Sequence, residues 1–499
     1  MQTQENVDSA NERQTCNFII FGSLRLQGTT GACLSFSLAK PCRLGYNPPR
    51  MNRSQIHDVL ANFEVNPSKS LGQNFLTDEN VARWIVNQLE ITPEDCVVEV
   101  GPGTGALTEH IAPLCRKLIL VEFDARLAEY QRTRWADSPH VQVNHADGAT
   151  WDPRPLFAER PVKFIGNLPY SAGGAILANF LTSPCACERA VVMLQKEFID
   201  RILAKPGDDA YGLLSLRIQM DWVPKALKTV PPEAFSPRPK IDSTVMLLTR
   251  RDEREFPPYD HKLMDELMRR CFAQRRKQMH KQLPPTPEWK QVAANLGISP
   301  TARPEELGLE QWIRLTNAYD PHPLAAVAQK DDELFDVVDA QDQVLRQAPR
   351  KEVHDAGLMH RAVHILVFNK HHNCFLQKRS MIKDRHPGVW DSSAAGHLDA
   401  GESYEEAARR ELQEELGIPA DTRILHVGSL PPSADTGWEH VGIYAALYDG
   451  KIHFPAAEIS GVMPFPAKLI DTWLQRRPQD FASSFALCWA QVRTMLGDA

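Results

Sequence analysis

The sequence predicts an α/β protein in three parts. A parallel-sheet domain is expected over 58–255, a small all-α lobe over 256–319 and, after a linker at 320–332, an α+β domain over 333–499. Three observations predict it. First, the buried-looking run Cys96-Val-Val-Glu-Val100 feeds the turn Gly101-Pro-Gly103-Thr-Gly105-Ala106, and a helical pattern starts at Leu107. Second, three more strand-like runs follow, and each delivers a polar residue to its end: Glu122, Asp147 and Asn167. Third, from residue 256 onward amphipathic helical patterns broken by Pro284, Pro285 and Pro287 replace the strands. At 499 residues the chain is too long for one core.

Residues 1–57 carry polar residues around one short apolar patch, Phe18-Ile-Ile-Phe21, too short and too deep for a secretory signal. A disordered extension is expected there, or an upstream start with Met51 as the natural beginning. Ten cysteines are scattered without a metal-binding spacing, which fits reduced thiols, and Cys185 and Cys187 read as structural. No apolar run reaches the roughly 18 residues a membrane span needs; with the reduced thiols, a cytoplasmic protein without membrane contact is expected, and a monomer. The net charge of −7 excludes a uniformly basic nucleic-acid binder but leaves room for a local patch.

From Val65 the chain runs through Asn74-Phe75-Leu76 into a helical pattern ending near Leu89. The strand at Cys96 and its glycine turn open a nucleotide-binding unit, because glycines let backbone approach a ligand closely. Taken alone, the turn fits NAD as well as S-adenosylmethionine. Lys117-Leu-Ile-Leu-Val121 ends in Glu122, which can hold both ribose hydroxyls of an adenosine. Val141-Gln-Val143 leads to Asp147, placed either to accept from an adenine amino group or to close a turn. Val162-Lys-Phe-Ile-Gly166 ends in Asn167-Leu168-Pro169-Tyr170. An exocyclic amine is a poor nucleophile, its lone pair delocalised into the ring. A side-chain carbonyl from Asn167 and the main-chain carbonyl of Leu168 can take both amino hydrogens and draw the nitrogen toward a tetrahedral form. Pro169 fixes the turn and offers no competing N–H, and Tyr170 offers a face for stacking.

Together with Gly72-Gln-Asn-Phe-Leu76, Glu99-Val-Gly-Pro-Gly103, Leu194-Gln-Lys-Glu197, Phe235-Ser-Pro-Arg-Pro-Lys-Ile-Asp-Ser243 and Phe272-Ala-Gln-Arg-Arg-Lys277, these runs make residues 66–319 resemble the small-subunit ribosomal RNA adenine dimethyltransferases of the KsgA type. The resemblance implies a Rossmann-like S-adenosylmethionine-dependent methyltransferase. Its cofactor contacts would be Asn74, Leu76, Gly101, Gly103, Glu122, Asp147 and Asn167, with Tyr170 and Phe235 sandwiching a flipped adenine. It further implies N6,N6-dimethylation of two adjacent adenosines in a hairpin loop near the 3′ end of small-subunit (16S) rRNA, with the precursor particle (pre-30S) as partner. Ser171-Ala-Gly-Gly174 departs from the family's usual Asn-Ile-Ser-Thr, so the resemblance does not fix the shape of the target pocket.

In the expected lobe, Arg269 to Lys281 holds six Lys or Arg and no acid, read as part of the lobe's first helix. Arg275, Arg276, Lys277 and Lys281 are the candidate RNA phosphate contacts.

In the third part, Leu334-Phe-Asp-Val-Val338, a turn at Asp339-Ala-Gln-Asp342, Val363-His-Ile-Leu-Val-Phe368 and Cys374-Phe-Leu-Gln-Lys-Arg379 read as turn-linked strands. The stretch from Gly396 to Ile418 then fills every position of the Nudix pattern, with Glu402, Arg410, Glu411, Glu414, Glu415 and Gly417 in place. Ser403 and Glu406 form a capping box that starts a helix, so Glu411, Glu414 and Glu415 share one face. Three adjacent carboxylates call for a hard cation, Mg²⁺, able to bridge a diphosphate and activate water. The flanks Met359-His360-Arg-Ala-Val-His364, Pro387-Gly-Val-Trp390 and Gly396-His397 resemble the isopentenyl-diphosphate-isomerase-like branch of Nudix proteins. There a cysteine precedes the Gly-His pair, and Ala395 stands in its place, so a hydrolase of a small diphosphate is expected rather than an isomerase. By the same resemblance His354, His360 and His397 can bind a metal. Three competing readings remain at this stage: a macrolide-resistance-type methylase of large-subunit rRNA, a non-catalytic ribosome assembly factor, and an NAD oxidoreductase. The last has no hydride-transfer residues to follow its glycine turn.

Overall fold

The computed structural model describes residues 74–320 and 331–496. The expected extension, Met51, Gly72-Gln73 and nearly all of the linker lie outside the described residues. Among the described residues no helix is long and apolar enough to cross a membrane.

The first part is built on a seven-stranded sheet. Its strands are β1 (Cys96–Val100), β2 (Lys117–Glu122), β3 (Val141–His145), β4 (Val162–Asn167), β5 (Cys187–Gln195), β6 (Trp222–Val230) and β7 (Ser243–Arg250), in the spatial order β3-β2-β1-β4-β5-β7-β6. The first five run parallel, and β7 lies antiparallel between β5 and β6. β1 is buried along its whole length, which is why it reads as a continuous apolar run: both faces of a parallel sheet are covered. The strand order reverses between β1 and β4, where β1 has β2 on one side and β4 on the other, and ligands bind such open sheets at that switch point. The short strand Phe75–Leu76 pairs with Phe235–Ser236, tying the start of the domain to the end of the sheet.

The helix after the glycine turn is a single turn, Thr108–Ile111, shorter than expected. Two helices that the sequence left unread, Lys196–Leu203 and Leu213–Asp221, bring Tyr211 and Leu216 into the core of the lobe. The lobe itself holds the helices His261–Ala273, Trp289–Leu296 and Leu309–Tyr319 around Met268, Met279 and Trp312. Its basic stretch is not one helix. The first helix stops at Ala273 with Gln274 as its cap, and Met279 turns inward to the core as its N–H donates to the Ala302 carbonyl at 3.0 Å.

The third part opens on the hairpin β8 (Leu334–Val338) and β9 (Val344–Pro349), turning at Asp339 to Asp342 as expected, then the helix Arg350–Ala356. Its main sheet contains β10 (His360–Phe368), β11 (Asn373–Arg379), β12 (Trp390–Asp391), β13 (Ala394–His397), β14 (Ile424–Leu430), β15 (Glu439–Leu447) and β16 (Ile459–Pro466). β10 is central, parallel to β15 and antiparallel to β11 and β13. The helix Tyr404–Leu416 starts at the Ser403–Glu406 capping box and ends at Gly417, whose φ of 63° is the left-handed conformation glycine supplies at a helix end.

These two parts are packed together through an aromatic joint. Phe157 lies between the rings of Trp390, Phe465 and Trp473, with centroids 5.4, 5.5 and 5.1 Å away. Around it Arg476 pairs with Glu159, Arg477 donates to the Arg160 carbonyl at 2.9 Å, and Lys378 pairs with Glu253. Glu159 and Arg160 precede β4, and Glu253 follows the antiparallel β7. All therefore sit at the edge where the parallel strands begin, opposite the edge that carries Gly101, Glu122 and Asn167.

Candidate active sites

The C-terminal edge of β1, β2 and β4 opens into a cleft. Asn74, Leu76, Gly101, Gly103, Glu122, Asp147 and Asn167 all line it, as do Leu168, Pro169 and Tyr170. Gly101 and Gly103 have φ of 70° and 55°, and a Cβ on Gly103 would come within 2.9 Å of the Phe75 ring. Here glycine is needed twice over, for conformation and for space. Glu122 accepts the Gly103 N–H and the Asp124 N–H, both at 2.9 Å, so the acid and the glycine turn hold each other. Its burial raises its pKa. Asp147 does serve as a turn acid, accepting from Ala149 N–H at 2.8 Å, yet it stays exposed on the cleft wall.

Asn167 stands at the end of β4. Its Nδ2 donates to the Asn74 carbonyl at 3.0 Å, so its Oδ1 is left as the acceptor. The Tyr170 hydroxyl lies 2.7 Å from Ser243 Oγ, which holds the half-buried ring at the cleft. Phe235 corrects an expectation. It is 1% exposed, packed among Leu76, Ile165 and Val191, and does not line the cleft, because its pairing with Leu76 turns the ring into the core.

Two cleft residues escaped the sequence reading. Phe123, directly after Glu122, is 56% exposed and lines the cleft; a large apolar residue beside a strand-end acid was the available signal. Glu99 is buried on β1, accepts from Thr108 Oγ1 at 2.7 Å, and burial pushes its pKa up to about 8.

Arg275 corrects a second expectation. Its guanidinium is tied to Glu305, far along the chain, and so braces the lobe. Arg276, Lys277 and Lys281 are exposed and form no ion pair among the described residues.

The second cleft lies beside the helix Tyr404–Leu416. Glu411 and Glu415 face it, buried, while Glu414 is exposed at its rim. A Cβ on Gly396 would overlap the Glu411 carboxylate, which explains the glycine at the head of the motif. Glu415 accepts from Ala395 N–H at 2.9 Å. Burial raises both acids, and their mutual repulsion adds to it at Glu415. Arg410 donates to Glu402, Glu411 and Glu414 at 3.0, 2.8 and 3.1 Å, fixing three acids at once. This donor set, hard oxygens under electrostatic strain, fits a divalent cation.

Next to it the ring nitrogens of His354, His360 and His397 come within 4.8 Å of one another. Glu439 Oε1 lies 3.2 Å from His397 Nε2 and 3.6 Å from His360 Nε2. Both ring nitrogens of His354 and Nε2 of His360 are buried without a hydrogen-bond partner. Burial lowers His354 to about 3 and His397 to about 4, so both are neutral at pH 7. Unpartnered neutral imidazoles facing a carboxylate fit a transition metal.

A model of the ribosomal RNA adenine dimethylase family matches residues 65–320, and a NUDIX domain model matches 358–479. Among curated relatives, the ribosomal RNA small subunit methyltransferase A of Nitratidesulfovibrio vulgaris (strain DP4) is 42% identical over 254 residues, covering 50% of this chain and 95% of its own. Its namesake from Marinobacter nauticus is 36% identical over 249 residues, covering 50% of this chain and 90% of its own. Among solved structures, a dimethyladenosine transferase from Plasmodium falciparum is 23% identical, covers 48% of this chain and 95% of its own, and has a TM-score of 0.42.

Proposed function

This chain belongs to the ribosomal RNA adenine dimethylase family and carries a NUDIX domain, and from that premise we propose that its first cleft dimethylates N6 of two adjacent adenosines in a hairpin near the 3′ end of small-subunit rRNA. The reading rests above all on Asn167, whose amide nitrogen is occupied by the Asn74 carbonyl and whose oxygen is thereby committed to accepting.

S-adenosylmethionine, when bound, supplies an activated methyl group. Glu122 would hold its ribose hydroxyls, Phe123 would cover its adenine ring and Asp147 would accept from its amino group. The target adenine leaves its helix, which costs a few kcal/mol, and a stack on Tyr170 returns roughly 1–3 kcal/mol. Asn167 Oδ1 and the Leu168 carbonyl take the two amino hydrogens and align the nitrogen lone pair for in-line attack. With the donor bound, that nitrogen would take the methyl group, the thioether would leave with the carbon–sulfur electrons, and the excess proton would pass to water. Phe235 supports this pocket from behind and does not stack. Arg276, Lys277 and Lys281 meet RNA phosphates on the lobe. A cytoplasmic monomer working on the pre-30S particle follows from this reading.

The second cleft is a diphosphate hydrolase. Glu411, Glu414 and Glu415 would hold Mg²⁺, and His354, His360, His397 and Glu439 a second metal. A bound cation would neutralise phosphate charge and lower the pKa of a water enough to supply hydroxide as the nucleophile. Arg410 holds the acids in register. Ala395 offers no acidic proton for isomerisation.

The test is methyl transfer from labelled S-adenosylmethionine to undermethylated small subunits by the full chain. Two dimethyladenosines are expected, and neutralising Arg276, Lys277 and Lys281 together should reduce the salt slope of RNA binding by about two. Methylation confined to large-subunit rRNA would favour the macrolide-resistance type, and absent cofactor binding in calorimetry would favour an inactive assembly factor.

A further inference from the structure

The lining of the second cleft restricts what it can hold. Its largest apolar side chains are those of Ala362, Ala395 and Ala482. Every other lining residue is charged, hydroxyl-bearing, histidine or glycine. An isoprenoid tail gains from burial only against an apolar wall. A nucleobase stacks best on a large aromatic face; no Phe, Tyr or Trp lines this cleft, so only the smaller planes of its histidines and guanidiniums are on offer there. Phe335 packs on His397, with centroids 4.7 Å apart, but is itself buried behind the histidines.

Binding must therefore come from charge and hydroxyl contacts. Four of the five Arg and Lys in the lining are already committed. Arg350 pairs with Asp384 at 3.0 Å, Arg379 with Asp391 at 3.3 Å, Lys383 with Glu458 at 2.8 Å, and Arg410 with the motif acids. The fifth, Arg385, forms no ion pair among the described residues. The residue is exposed, its carbonyl accepts from Arg379 at 3.1 Å, and its guanidinium reaches to within 3.3 Å of where a Gly437 Cβ would stand. A guanidinium left open at a cleft rim is suited to a phosphate, which it can grip with two parallel hydrogen bonds. On the far wall Ser483 and Ser484 add hydroxyls, with Ser484 Oγ 3.3 Å from His364 Nε2.

Building on the diphosphatase reading, we infer that this site takes a compact sugar or polyol diphosphate bearing at least one further phosphate, and that Arg385 selects it by gripping that extra phosphate. In the reaction a water oxygen bonds to the outer phosphorus and the bridging P–O bond breaks. The bond's electrons stay on the inner phosphate, orthophosphate leaves, and one proton is released. For 5-phosphoribosyl diphosphate the products are the ribose bisphosphate and orthophosphate.

The experiment compares 5-phosphoribosyl diphosphate, isopentenyl diphosphate and cytidine diphosphate with the full chain and Mg²⁺, following orthophosphate release. The expected kcat/KM is about tenfold or more higher for the phosphorylated sugar, and Arg385→Ala should erase that preference mainly by raising KM for this probe. Equal or faster turnover of either competitor overturns the inference and leaves the diphosphatase reading standing, as does an Arg385→Ala variant that slows all three alike. Hydrolysis of none of the three brings down both.

Discussion

The cleft at the end of the parallel sheet is walled by Phe75, Leu76, Phe123 and Tyr170, with Glu99 buried beneath. The cleft beside the helix Tyr404–Leu416 has no apolar side chain larger than alanine and is crowded with acids, bases and histidines. Both sit on α/β sheets in one polypeptide, and the difference follows from what each must stabilise. On the proposed reading, a flat neutral base would be held by faces and by two carbonyl acceptors. A polyanion undergoing hydrolysis is held by cations, whether side chains or metals, with the acids needed to keep the metals in place. In the first cleft charge is sparse and burial does the work, while in the second the buried charges repel one another until a cation is supplied.

The contrast breaks most sharply at single residues. Asn167→Ala should lower methyl transfer about 10³-fold or more with orthophosphate release unchanged, read by labelled-methyl incorporation beside phosphate assay. Loss of both activities would mean the clefts are not chemically separate. Glu415→Gln should lower diphosphatase turnover about 10²-fold or more and leave methylation intact, measured in the same pair of assays.

Phe157→Ala removes a ring that three aromatic partners enclose and should cost roughly 3–5 kcal/mol, the usual range for an aromatic lost from a core. Calorimetry should then show a wild type that melts in one step and a variant in which only one of two transitions responds to S-adenosylhomocysteine. Two independent transitions in the wild type would show that the joint does not couple the parts.

The smallest effect concerns Glu99. A carboxyl raised to about 8 by burial is neutral in the folded state at lower pH, and its cost appears as pH rises from the unfolded value near 4.5 toward 8. Stability is therefore lost over that window, and Glu99→Gln should be more stable than wild type at pH 8.5 and equal to it near pH 4. Denaturant melts at the two pH values check the sign.

How much of this was legible beforehand depended on distance along the chain. Gly101, Glu122, Asp147 and Asn167 were readable because each follows its own strand, and a parallel sheet brings consecutive strand ends to one edge. The capping box and the three motif glutamates were readable because a helix places near neighbours on one face. Phe235 was misread because its burial is decided by a pairing with Leu76, and a short motif carries no record of its distant partner. Arg275 was misread for the same reason, since Glu305 claims it. The joint of Phe157, Trp390 and Trp473 left no periodic trace at all, and Phe123 showed only as one apolar residue in a polar turn.

That joint lies where the parallel strands start, so the rim at which they finish is unencumbered by the second domain. A bulky folded substrate, such as a ribosomal RNA, can approach that rim head-on while the hydrolase hangs behind like a rucksack. Adding a second enzyme there enlarges the protein without narrowing its doorway.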